Sequence, residues 1–267
     1  MAWNDAVLKN RAMPLPVHRR LFSACALLTL LACGGDEGGG SAPAPGVSAA
    51  GWQNAFGDKG GQCAQGAEQL AALPHVTVGS TTLFVGFEQT SGNNQDPFIA
   101  RFDGANRVYC TYHEDDGPDG HALGITWNGG DYAYVVYTVV GGGSDLEGKG
   151  GWLGSYAPGG ISGGGPKVSY PGRVRVSDGA LESGSFVIAV TSARKVNSHM
   201  PKAAATVLED GTIEFRGGSA HEPIDADGKS AMACTDYPFE TRYRFSPDLK
   251  TLVCADSTNC TAQKACP

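Results

Sequence analysis

From about residue 75 onward, short runs of alternating apolar and polar residues are separated by glycine, asparagine and aspartate. This period-two pattern predicts strands. His75–Val78, Leu83–Phe87, Phe98–Phe102 and Arg107–Tyr112 form a first group of four. Leu123–Trp127, Tyr132–Tyr137, Trp152–Tyr156 and Lys167–Tyr170 form a second. Arg173–Val176, Phe186–Val190, Lys202–Val207 and Thr212–Phe215 form a third. A fainter fourth group comprises Pro223–Asp227, Ser230–Cys234, Phe239–Phe245 and Lys250–Cys254. Asp103-Gly104, Asp210-Gly211 and Pro247-Asp248 supply the hairpin turns within these groups. Only Cys63–Leu73 has helical composition, and Pro74 closes it.

The groups recur at roughly 50 residues, a period that means propellers or solenoids. Four-stranded units that bury their faces only against one another predict a small β-propeller of antiparallel sheets. Four blades are counted, or five if Trp52–Phe87 is taken separately. Trp52–Phe56 reads as an outer strand that pairs with the last unit and seals the ring.

Asp96-Pro97-Phe98-Ile99-Ala100-Arg101-Phe102-Asp103 followed by Tyr109-Cys110-Thr111-Tyr112 resembles the core of the bacterial seven-bladed-propeller-type repeat. His121–Trp127 and Asp131–Val135 are similar to the repeat's next segment, and Trp52–Gly61 to its opening. The resemblance covers about residues 95–140. It implies a propeller fold and no particular function, because propellers host many unrelated activities.

The N-terminus carries a different signal. Arg19-Arg20 precede the 12-residue apolar run Leu21–Ala32, which ends at Cys33-Gly34-Gly35. A membrane helix needs roughly 20 apolar residues, so this run reads as a secretory leader. Met13 is an alternative start to Met1. Leu30-Leu31-Ala32-Cys33 resembles the bacterial lipoprotein lipobox, which implies cleavage before Cys33 and lipid on its sulfur. Gly34 in the next position implies outer-membrane sorting, periplasmic or surface-facing. The expected organisation is a signal peptide over residues 1–32, a Gly/Ser/Pro-rich tether over 33–50 and a propeller-like domain over 51–267.

Glycine supplies 39 of 267 residues, about twice the usual roughly 7%, which suits many tight turns. Beyond residue 32 the chain keeps all but Lys9, Arg11, Arg19 and Arg20 of its 20 basic residues and all but Asp5 of its 27 acidic ones, a formal charge of −10. That balance argues against a nucleic-acid partner. Besides Cys25 and Cys33, six cysteines remain: Cys63, Cys110, Cys234, Cys254, Cys260 and Cys266. In an exported domain they read as three disulfides with 15 possible connectivities, and a bridge between the Cys63 region and the Cys254–Cys266 tail would help to seal the ring. The competing reading, a zinc site, suffers from spacers longer than zinc cysteine pairs use.

His113, Asp115, Asp116, Asp119 and His121 form the densest polar cluster and are the candidate ligands for a metal, Ca²⁺ above all. The alternative is an inter-blade turn. Asp225-Ala226-Asp227-Gly228 begins like a calcium loop but lacks the later glutamate. Trp127, Trp152, Tyr132 and Tyr134 could line a glycan platform, or fill the core. The chain lacks a phosphate-binding glycine loop. The sequence therefore points to a lipid-anchored envelope protein that binds or scaffolds an unidentified protein or glycan, or that is purely structural. The alternative is a polysaccharide-active enzyme using channel carboxylates.

Overall fold

The computed structural model describes residues 49–53, 60–92, 94–113, 119–140, 145–163 and 165–267. The leader, Cys33 and the tether up to residue 48 lie outside them. Ala49 and Ala50, read as the end of the tether, begin the first strand. In chain order the elements are β1 (Ala49–Trp52), α1 (Ala67–Leu70), β2 (His75–Val78), β3 (Thr81–Ser91), β4 (Asn94–Asp103), β5 (Asn106–Tyr112), β6 (Gly120–Trp127) and β7 (Tyr132–Val140). They continue with β8 (Lys167–Arg175), β9 (Leu181–Gly184), β10 (Ala189–Val190), β11 (Val196–Asn197), β12 (His199–Pro201) and β13 (Thr206–Val207). The last are β14 (Ile213–Ser219), β15 (Glu222–Pro223), β16 (Ala233–Cys234), β17 (Phe239–Phe245), β18 (Leu252–Ser257) and β19 (Cys260–Thr261). The protein is all-β, and its sheets are antiparallel.

Three larger sheets are stacked. The first is the meander β2-β3-β4-β5, the middle one is β1-β6-β7-β8-β9, and the third is β12-β14-β17-β18 with β13 beside β14. Two small sheets, β11-β10-β15 and β16-β19, complete the set. Burial patterns show the order of the layers. All eight residues of β6 are buried, as is the centre of β7, so the middle sheet is covered on both faces. By contrast, β17 alternates: Phe239, Thr241, Tyr243 and Phe245 are buried while Glu240, Arg242 and Arg244 face outward. The third sheet is therefore an outer layer.

The first sheet has two different neighbours. Leu83, Val85 and Ile99 join the main core against the middle sheet. Phe84, Phe98, Ala100 and Phe102, on the opposite face, pack with Cys63, Leu70 and Leu73 in a second small core. The Cys63–Leu73 segment, with α1 inside it, thus covers a face that in a ring of blades would meet another blade. No closed barrel or ring of blades is formed among the described residues.

The first group and, in the second, Leu123–Trp127, Tyr132–Tyr137 and Lys167–Tyr170 form the expected strands, whereas several other runs diverge. Trp152–Tyr156 is a coil that buries Leu153 and Tyr156, not a strand. Arg173–Arg175 does not open a third unit but continues β8 through Pro171-Gly172. Pro171 is tolerated because its backbone faces Ser185, whose N–H its carbonyl accepts at 3.1 Å, so no β7 ladder bond is lost. Trp52 does not pair with the last unit. β1 lies along β6, with Gly51 opposite Ile125.

The Asp-Gly turns form as expected. Gly104 (φ 61°) and Gly211 (φ 80°) take the left-handed conformation that glycine adopts without a Cβ penalty.

All six cysteines of this region are joined: Cys63–Cys110, Cys234–Cys260 and Cys254–Cys266, with Cα separations of 5.7, 4.0 and 5.0 Å. Of the 15 connectivities this is the one formed, and it contains no bridge from Cys63 to the tail. Cys63 bonds the strand it covers, and the tail cysteines staple themselves locally. The loops closed span 47, 26 and 12 residues. Chain entropy alone makes these worth about 4, 3.5 and 3 kcal/mol. Replacing Cys63 and Cys110 together by serine is expected to lower unfolding free energy by about 4 kcal/mol in urea titration, more than loss of Cys254–Cys266.

Candidate functional site

The proposed metal cluster separates into side chains with other tasks. Asp115 and Asp116 lie outside the described residues. His113 is buried, and its Nε2 donates to the Gly179 carbonyl at 2.7 Å. Its Nδ1 therefore accepts from the Tyr137 hydroxyl. With both ring nitrogens committed, His113 would have to give up one of these partners to bind a metal. His121 stacks on Phe87 with ring centroids 3.9 Å apart, and its Nε2 meets the Gln95 side-chain oxygen. Asp119 accepts from the Gln95 N–H at 3.2 Å. No group of three or more His, Cys, Asp or Glu placed to hold a metal exists among the described residues.

Asp225 and Asp227 form a turn. Asp225 accepts from the N–H groups of Ala226 and Gln263. Asp227 accepts from the N–H groups of Lys229 and Ser230. Burial raises the Asp227 pKa, but these donors outweigh it and bring it to about 2.

A second buried histidine looks like part of a nucleophilic pair and is not one. Ser169 donates its hydroxyl hydrogen to the His199 carbonyl at 2.8 Å, so His199 Nδ1–H must donate to Ser169 Oγ. His199 Nε2 then accepts from the Thr241 hydroxyl at 2.8 Å. The ring has no solvent exposure, and the Ser169 hydroxyl is spent on a backbone carbonyl. This chain bolts β8 to β12 and β17, across the seam between middle and third sheets. Gly217 makes room for it, since a Cβ there would come within 2.4 Å of the ring.

A hollow of about 460 Å³ opens between the first and middle sheets, at their strand ends. Its lining includes Thr81, Arg101, Trp127, Asp131, Tyr132 and Arg175. Two of the four aromatics considered for a glycan platform are here. Trp127 is buried and donates its indole N–H to the Gly130 carbonyl. Tyr132 has one face covered by the Arg173 guanidinium, 3.4 Å from the ring centroid. The other two serve packing: Trp152 sits against Tyr243 and Phe245, and Tyr134 donates to the Pro247 carbonyl.

Both cleft arginines are already paired. Arg101 holds Asp103 and the Val176 carbonyl, while Arg175 holds Asp178 and Glu182. Hydrogen bonds from Arg101 and Thr81 lower the Asp103 pKa, and those from Arg175 and Ala180 lower that of Asp178. Asp131 is the one carboxylate in the lining, whereas glycoside cleavage needs two. The hollow is suited to holding a ligand through hydrogen bonds more than to proton transfer. Arg101, Asp131 and Arg175 carried no sequence signal, because they come from separate strands and a turn that meet only in the fold.

Comparison with known proteins gives no match to a family model, a curated protein or a solved structure. Fold and clefts together define a disulfide-linked, all-β protein with polar surface hollows.

Two of the buried histidines, His113 and His199, set an acid limit on stability. Burial, reinforced by Lys149 and opposed by the Gly179 carbonyl, lowers the His113 pKa to about 4. Burial and Lys202 lower that of His199 to about 3. Between these values and the ordinary value near 6.5, the unfolded chain binds more protons than the folded one. Their contribution is complete above about pH 6.5 and declines as pH falls, by about 1.4 kcal/mol per pH unit for each histidine. Urea titrations between pH 7 and 4.5 should show this slope, and His199→Asn should flatten it by about one proton.

Proposed function

We propose that the protein is an exported, lipid-anchored binding or scaffold module of the bacterial cell envelope. Cys33 would carry the anchor, the residues after it would form the tether, and Gly34 favours the outer membrane. The observation that carries the export half of this reading is the pairing of all six cysteines beyond Cys33 into disulfides, which persist in oxidising compartments. The binding half rests on the cleft between the first and middle sheets, with its aromatic and hydrogen-bonding lining. Among the described residues no helix is long and apolar enough to cross a membrane.

The sheets are read as blades of a propeller-type stack left open. Two consecutive four-stranded meanders, β2 to β5 and β6 to β9, support that relation. The cap over the first sheet and the polar outer face of the third support an unclosed stack over a ring of four or five.

In a bacterial host fed a clickable palmitate analogue, the wild-type chain is expected to take up label and sediment with membranes. Cys33→Ala should do neither. An unlabelled wild-type chain would sink the anchoring proposal. Release of reducing ends from envelope polysaccharide by the purified protein would instead favour the enzymatic alternative.

A further inference from the structure

The third sheet turns a polar face to solvent, and two hollows lie along it. One, of about 590 Å³, runs over Arg216, Arg242, Asp256 and Thr258. The other, of about 350 Å³, is bounded by Asn197, Ser198, His221 and Tyr237. Lys202 and Glu240 line both, so the hollows share a wall and form one groove across β12, β14, β17 and β18. Gly218, opposite Glu240 in the register, has no side chain to fill the groove floor.

Three features define what fits. First, the charges on this face cancel in pairs: Lys202 with Glu240, Arg216 with Glu214, Arg242 with Asp256 and Arg244 with Asp210. A face with four cations and four anions matched offers no net field, so it complements an uncharged ligand. Second, the groove is lined with paired donors and acceptors, which suit hydroxyl groups because a hydroxyl both donates and accepts. Third, one end carries Tyr237, at 66% the most exposed large hydrophobic side chain among the described residues. Its ring is steadied edge-on against Phe239 at 6.3 Å. An exposed, steadied aromatic presents an apolar face to the C–H face of a sugar ring, and its hydroxyl stays wet.

We infer that this groove binds a neutral polysaccharide chain, with one sugar stacked on Tyr237 and successive hydroxyls held by the Lys202–Glu240 and Arg242–Asp256 pairs. The site is separate from the cleft between the first and middle sheets and does not depend on the lipid anchor.

The test is affinity electrophoresis of the full chain, in detergent, through gels containing laminarin, hydroxyethyl cellulose, dextran or mannan, with alginate as the anionic control. At least one neutral glycan should retard the protein. Tyr237→Ala should weaken that retardation about tenfold or more. Because Tyr237 is exposed, this variant should melt like the wild type. Arg175→Ala, in the other cleft, should leave retardation unchanged. Retardation by none of the neutral glycans, by alginate alone, or equally for Tyr237→Ala and wild type would overturn the inference. Loss of binding in Arg175→Ala with retention in Tyr237→Ala would do the same and move glycan binding to the other cleft.

Discussion

The middle sheet must be covered on both faces, and the rest of the structure follows from that constraint. β6, β7 and β8 carry apolar side chains on both sides, including Ile125, Val135, Val136, Tyr137, Val168 and Tyr170. Each buried aliphatic or aromatic side chain of this kind contributes about 1.5–3 kcal/mol relative to exposure. The first sheet therefore lies on one side and the third on the other. Polar groups trapped at these seams need partners. His113 with Tyr137 and Gly179 serves one seam. His199 with Ser169 and Thr241 serves the other.

That layering also explains where binding surfaces arise. A sheet buried on both faces offers none except at its strand ends, where the cleft lined by Trp127, Tyr132 and Arg101 opens. An outer sheet keeps one polar face, where the groove beside Tyr237 runs. The first sheet's outward face is withdrawn from solvent by Cys63, Leu70 and Leu73. The Cys63–Cys110 disulfide makes that cover permanent. Cap, stack and polar face thus divide the molecule into a sealed end and an open one.

The first strand group was legible because its short apolar runs are separated by turns that carry glycine. Gly104 shows this, with the left-handed backbone its Asp-Gly signal announces. Pro171-Gly172 reads as a boundary by composition, yet β8 passes through it because Pro171 faces away from β7. Trp152–Tyr156 reads as a strand by composition, yet its residues fill gaps in the core as coil. Composition records burial well. It does not record which backbone hydrogen bonds a neighbouring strand will supply.

The sequence by itself determined the all-β class, the hairpin turns and the number of cysteines available for disulfides. These depend on residues close in the chain or on simple counts. It also holds the expectation of a lipid anchor at Cys33, a local signal. Only the tertiary structure decided the cysteine pairing, the partners of His113 and His199, and the meeting of Arg101 with Trp127 and Tyr132. Ser169, His199 and Thr241 are separated by 30 and 42 residues, and no period or spacing relates them. Their contact exists because two sheets must share one buried seam, which is a property of packing and not of any local run.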